Sequence, residues 1–256
     1  MKNNIWLLAI ILFGIHSIQA QGPPITADKP IMLGQGSFTL RTLAEIRTTE
    51  RATFTYIPIN FSYLPTSNIE LAVEIPYLVN TITEGASNSA LADIKLMGKY
   101  QFFRKDATGK TFRVVGKTIQ TLPTGEDLDA MDLSTGNYAG YYGVVAGYET
   151  LKYGISNEIG YNWMPDGTMD DFRYKLGFGL PLLIPQYPNK QINLFFEYTN
   201  LWLVERNWYQ LLYAQGVQYA RKNTTFELAV QVPLVNDVDE GRKFKHSIFL
   251  GSRFTF

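Results

Sequence analysis

Apolar and polar residues alternate along most of this chain with a period of two. In "SFTLRTLAEIR", Phe38, Leu40, Ala44 and Ile46 share one face, and Arg41, Glu45 and Arg47 share the other. In "NIELAVEIPY", Ile69, Leu71, Val73, Ile75 and Tyr77 stand opposite Glu70 and Glu74. "DIKLMGKYQF", "DFRYKLGFGL", "QINLFFEY" and "TFELAVQVPL" repeat the pattern, and the chain ends on it with "HSIFLGSRFTF". Such alternation predicts half-buried strands. It recurs in twelve segments, near 37–48, 52–64, 68–79, 92–104, 110–122, 138–149, 151–163, 170–182, 190–203, 207–220, 223–235 and 242–256. "TLAEIRTTERA" and "SALADIKLMGKY" contain good helix formers, but their charges alternate without a miss, which favours strands.

The connectors carry a second alternation. The long Gly/Asp/Asn-rich ones, "TITEGASNSAL", "PTGEDLDAMDLSTGN" and "MPDGTMDD", all fall on the same side of an up-and-down meander. Short turns on one side and long loops on the other, with an even strand count, is the pattern of bacterial outer-membrane barrels. Pro76, Pro181 and Pro233 lie near strand ends, where a residue without an N–H is tolerated; Pro58 lies inside a strand and predicts a bulge.

The front of the chain changes the compartment. "MKNNIWLLAIILFGIHSIQA" has a basic start, an apolar run and a small residue at its close, which predicts a secretory signal peptide over 1–20. Residues 21–36 show no periodicity and read as a periplasmic lead, leaving 37–256 for the barrel. Removing one Lys with the signal leaves 22 basic against 23 acidic residues, so no basic field for nucleic acid exists. With no Cys, a disulfide framework and a lipoprotein anchor are both excluded. Tyr and Phe number 16 each, an abundance that needs a place.

A soluble β-sandwich or lipocalin-like barrel would show the same alternation with its apolar face inward. Three features favour lipid outside. Tyr63, Tyr77, Tyr100, Phe102, Tyr161, Trp163, Tyr198, Trp202 and Tyr209 lie on the apolar face near strand ends, as aromatic girdles do. The polar face holds many small residues, among them Ala72, Gly154, Gly160, Gly177, Gly179, Ala214, Gly216, Ala229 and Gly251, which suits a crowded lumen. No charge falls on the apolar face, where a midplane Lys or Arg would cost about 2–4 kcal/mol. The fold expected is an all-β, transmembrane, antiparallel up-and-down barrel of about twelve strands in the bacterial outer membrane, in contact with its lipid.

The terminal "FLGSRFTF", ending on Phe256, looks like the signal read by the barrel-assembly machinery. "ADIKLMGKYQFF", "RVVGKTIQTLPTGEDL" and "GYYGVVAGYETLKYGISNEIGYNW" resemble the outer-membrane family named for the meta-pathway of phenol degradation, through Asp93, Lys99-Tyr100 and Leu122-Pro123-Thr124-Gly125. The resemblance covers about residues 90–180. It implies passive movement of a small, often hydrophobic or aromatic, solute across the outer membrane.

The residues facing the lumen in this register are Arg41, Glu45, Arg47, Glu70, Glu74, Asp93, Lys95, Lys99, Arg113, Lys117, Glu158, Arg173, Lys175, Glu197, Glu227, Lys245 and Arg253. Two readings stand: they pair across the lumen and fill it, or they line a pore and select the solute. Ten basic against seven acidic groups would lean a pore weakly towards anions. The solute site is expected among Arg41, Arg47, Glu70, Glu74, Asp93, Lys95, Lys99, Arg113, Lys117, Arg173 and Lys175. Asp127, Asp129 and Asp132 in the longest loop offer oxygen ligands for Ca²⁺ but have no EF-hand spacing, and that loop reads as a Pro/Gly turn or as a fold into the mouth. An enzyme would need an activated nucleophile. After the signal, His246 is the sole histidine; its neighbour Ser247 points to the opposite face. No catalytic pair, cofactor or metal is called for.

Overall fold

The structure, a computed structural model, describes residues 24–82, 87–126, 133–165, 170–183 and 190–256. The expected signal peptide and Asp127, Asp129 and Asp132 lie outside the described residues. Among those described, the strands are β1 (Phe38–Thr49), β2 (Ala52–Thr66), β3 (Ile69–Ile82), β4 (Ser87–Leu91), β5 (Lys95–Ala107), β6 (Lys110–Thr121), β7 (Ala139–Thr150), β8 (Gly154–Trp163), β9 (Asp171–Pro181), β10 (Lys190–Leu203), β11 (Trp208–Arg221), β12 (Thr224–Asp237) and β13 (Phe244–Thr255). Each long strand pairs antiparallel with its neighbours in sequence. β1 pairs with β13, so the sheet closes into a twelve-strand barrel and leaves no long edge.

Closure fixes which face is outside. Ile59 on β2, Leu71 on β3 and Leu250 on β13 are each more than half exposed, whereas Phe195, Glu197 and Ser247, on the opposite parity, are at most 2 % exposed. An apolar exterior with a polar, tightly packed interior inverts the soluble arrangement and requires lipid outside. Tyr77, Tyr100, Phe102, Tyr161, Trp163 and Trp202 are exposed on that exterior. Tight turns need backbone of positive φ. Gly109 supplies it (+69°) in the two-residue connection between β5 and β6, and Lys222 (53°) does so between β11 and β12.

Strand irregularities trace to named residues. Pro58 faces Pro76 within an unbroken β2–β3 register that runs from Ala52 to Tyr63, and β1 keeps one register on both sides of it (Thr42 against Ile59, Glu45 against Tyr56). The bulge expected at Pro58 is therefore absent. A missing N–H removes a ladder bond but inserts no residue. The extra residue sits opposite Pro76 instead. Tyr77 faces Leu91 and Glu74 faces Lys95, so Ala92–Asp93–Ile94 spans two residues of β3. The Ala92 amide donates to the Pro76 carbonyl there (2.9 Å). β4 is thus the outer part of the β5 strand, set off by a kink, within a stretch read from sequence as loop. Pro233 marks a second bulge, with Leu211 facing Val235 and Leu212 facing Pro233.

Residues 24–36, expected from the sequence as part of a periplasmic lead, run inside the barrel. Ile25 packs against Phe195, Ala229 and Phe249, with Leu43 alongside. Met32 packs with Leu64, Val115 and Val145. An aperiodic segment with buried backbone needs partners for its polar groups, and the polar lumen wall supplies them.

Candidate functional site in the lumen

The wall strands carry the site because every second residue points inward. On β5 and β6, Lys99 and Lys117 point at the same place. Asp28 of the inner segment fills it, with Oδ1 2.8 Å from the Lys99 ammonium and Oδ2 3.0 Å from that of Lys117. Lys117 also reaches Glu158 on β8 (2.9 Å), and the Tyr141 hydroxyl donates to the same Glu158 oxygen (2.7 Å). Glu70 stands 3.9 Å from Lys99. The next residue, Lys29, pairs with Glu149 on β7 (3.0 Å).

The opposite wall holds the backbone rather than a side chain. Glu197 on β10 accepts the amides of Ile25 (2.7 Å), Thr26 (2.6 Å) and Ala27 (2.6 Å), together with the Thr26 hydroxyl. Lys175 on β9 donates to the Thr26 carbonyl (3.0 Å), and Arg41 on β1 to the Ile25 carbonyl (3.3 Å). Glycines make the room. A Cβ on Gly216 would lie 2.4 Å from Ile25, one on Gly147 2.7 Å from Pro30, and one on Gly177 3.2 Å from Pro24. The small residues noted on the polar face thus accommodate a guest chain.

The other expected site residues divide by height. Arg41 makes an ion pair with Glu227 (2.7 Å), where Arg253 stands 3.8 Å away. Arg47 pairs with Glu45 (2.8 Å), which also accepts the Ser247 hydroxyl. Lys95 meets Glu74 (3.3 Å) and donates to the Tyr56 hydroxyl (2.8 Å). Arg113 lies 3.8 Å from Asp106, and Arg173 pairs with Asp171. Lys245 belongs to the rim, not the lumen. The register shifts between Thr48 and Thr49 of β1, and Lys245 pairs with Glu50, both side chains nearly half exposed.

Asp93, expected at the solute site, lies in the kink before β5. Its carboxylate is buried in the kink and accepts the amides of Gly125 (3.0 Å), Thr135 (3.0 Å) and Gly136 (3.1 Å). It therefore clamps both arms of the connection between β6 and β7. A Cβ on Gly125 would fall 2.4 Å from the Ala92 backbone, so this contact requires glycine. The returning arm places Leu133 against Phe54, Tyr56, Leu78 and Ala92, an apolar cluster on the inner face. The Leu-Pro-Thr-Gly motif follows the end of β6 at Thr121, and of the described loop residues Leu133 packs against the inner face.

Sequence reasoning missed Asp28, Lys29, Tyr56, Tyr141 and Glu149. Two charges between prolines in "PPITADKP" were the one available signal for the inner segment. Among the described residues, no group of His, Cys, Asp and Glu is arranged to hold a metal. His246 and Ser247 face opposite sides of the wall, and Ser247 bonds Glu45.

The closed barrel, its lipid-facing belt and its charged lumen define the class: a transmembrane β-barrel of the bacterial outer-membrane type. Neither a protein-family model nor a curated protein matches the sequence. Solved structures match the fold. The COG4313 outer membrane channel from Pseudomonas putida F1 aligns over 89% of this chain and 98% of its own, with a TM-score of 0.62 and 12% identity. The NanC porin aligns over 84% and 98%, with a TM-score of 0.57 and 12% identity. The KdgM porin in complex with disordered oligogalacturonate aligns over 85% and 99%, with a TM-score of 0.54 and 9% identity. These likenesses support the barrel reading; they do not single out the meta-pathway family.

Proposed function

We propose that this protein is an outer-membrane channel for passive passage of a small solute, with a lumen occupied at rest by its own residues 24–36. The observation that carries the reading is the mode of attachment. The inner segment is no strand of the wall, and it is held by groups a water-filled lumen would also serve. Asp28, Lys29 and the amides of 25–27 meet wall charges, and each contact can be exchanged for water or solute. The apolar cluster at Phe54, Tyr56, Leu78 and Leu133 is buried and packed on itself, and it offers a surface to a hydrophobic or aromatic body once Leu133 withdraws. That agrees with the resemblance to the meta-pathway family. The terminal strand and Phe256 serve the assembly machinery in this reading.

A sealed structural barrel is the competing reading, favoured by the pairing of Arg41, Lys95 and Lys117 with acids. Conductance of the refolded mature protein in a planar bilayer separates the two. Discrete, reproducible steps are expected. Silence from protein shown to be folded by heat-dependent gel mobility would establish the sealed barrel. An embedded hydrolase would need lipid hydrolysis lost on substituting Ser247 or His246, and neither side chain bonds the other.

A further inference from the structure

Asp28 is a carboxylate delivered by the chain to two lysines of the wall. Its two oxygens take one ammonium each, at 2.8 and 3.0 Å. Without Asp28, Lys117 keeps Glu158 at 2.9 Å, whereas the wall acid facing Lys99 is Glu70 at 3.9 Å. Lys175 donates to the Thr26 carbonyl and stands opposite Glu158 across β8 and β9, so it lines the same space. Lys95 lies 4.9 Å from the centre of the Tyr56 ring, and Tyr56 belongs to the apolar cluster at the mouth. The apolar cluster that Leu133 covers therefore adjoins a cationic waist.

With Asp28 gone, Lys99, Lys117 and Lys175 face only two wall acids, Glu70 and Glu158, so one positive charge in a partly desolvated lumen lacks a partner, which is costly. We infer that Lys99 and Lys117 form a binding site for a carboxylate anion with a small apolar or aromatic body, held at rest by Asp28 as an internal substitute. This rests on the channel reading and names its solute class. The solute must displace a tethered competitor. A short tether holds its ligand at an effective concentration of roughly millimolar, so the native protein responds to free carboxylate only above about that level.

The test uses full-length mature protein and benzoate, with neutral benzamide as the isosteric control. Asp28→Asn keeps the side chain's shape and removes its charge. Titration calorimetry in detergent is expected to show benzoate binding at least tenfold tighter to Asp28→Asn than to the native protein, with benzamide silent. Lys99→Met/Lys117→Met is expected to abolish the heat while heat-dependent mobility stays native. In the bilayer, Asp28→Asn is expected to shift the reversal potential in a KCl gradient towards anion preference. Equal benzoate affinity in native protein and Asp28→Asn, or binding that survives the double lysine variant, overturns the inference. Binding to Asp28→Asn without conductance from any folded variant leaves the carboxylate site standing and overturns the channel reading. Conductance without benzoate binding does the reverse.

Discussion

The two walls that grip the inner segment do so by different chemistry. On the β5–β6 side, one side chain, Asp28, meets two lysines. On the β10 side, one carboxylate, Glu197, gathers three consecutive amides. The first contact depends on the residue at position 28 and reads charge. The second depends on backbone geometry and would hold any sequence that could adopt it. In the proposed channel, the difference separates seating from selectivity. Glu197 fixes where the segment lies, and Asp28 fixes what the lysines see. Substitutions on the two walls should therefore have different signatures.

Glu197→Ala should break the comparison most completely. It strips one buried and two half-buried amides of a charged acceptor, and hydrogen bonds to charged groups contribute about 1.5–3 kcal/mol each, partly recovered by water. A loss of roughly 3 kcal/mol on urea unfolding in micelles is expected, with a several-fold rise in conductance as the segment leaves. If conductance matched the native protein, Glu197 would not be the seat. Gly125→Ala probes the outer end instead. Its Cβ would collide with the Ala92 backbone, so the Asp93 clamp should loosen. About 1–3 kcal/mol of destabilisation is expected, with protease cutting between β6 and β7 appearing in intact vesicles. Gly216→Ala presses on Ile25 from the Glu197 side of the lumen while leaving both walls' charges in place. It should cost about 1 kcal/mol and raise conductance without changing ion preference. A changed preference would mean that seating and selectivity are not separable. Lys245→Ala, at the exposed rim pair with Glu50, should change unfolding by less than about 0.5 kcal/mol. A larger effect would show that rim pairs matter as much as the buried ones.

Much of this architecture was legible in the chain. The period-two alternation located all twelve long strands and assigned Glu70, Lys99, Lys117, Lys175 and Glu197 to the inner face, because side-chain direction in a strand is set by parity alone. The crowding of small residues inside was legible for the same reason. Lys245 was misplaced because one bulge reverses parity, and a bulge beside Thr49 leaves no local signature. Asp93 was read as a lumen charge because it shares the parity of Lys95 and Lys99. Its actual partners, Gly125, Thr135 and Gly136, become neighbours only after the kink opposite Pro76 forms. The Pro58 bulge failed because proline's effect on a ladder depends on what faces it.

The sequence by itself determined that this chain makes strands, how many long ones, which face meets lipid and which residues look inward. Those properties depend on local period and turn chemistry. Only the tertiary structure decided what fills the lumen. The segment at 24–36 has no period of its own, and its contacts span up to 172 positions, from Ile25 to Glu197. Its place follows from charges and amides that find partners only once β1 has closed against β13. Burial then forces each of them to be satisfied.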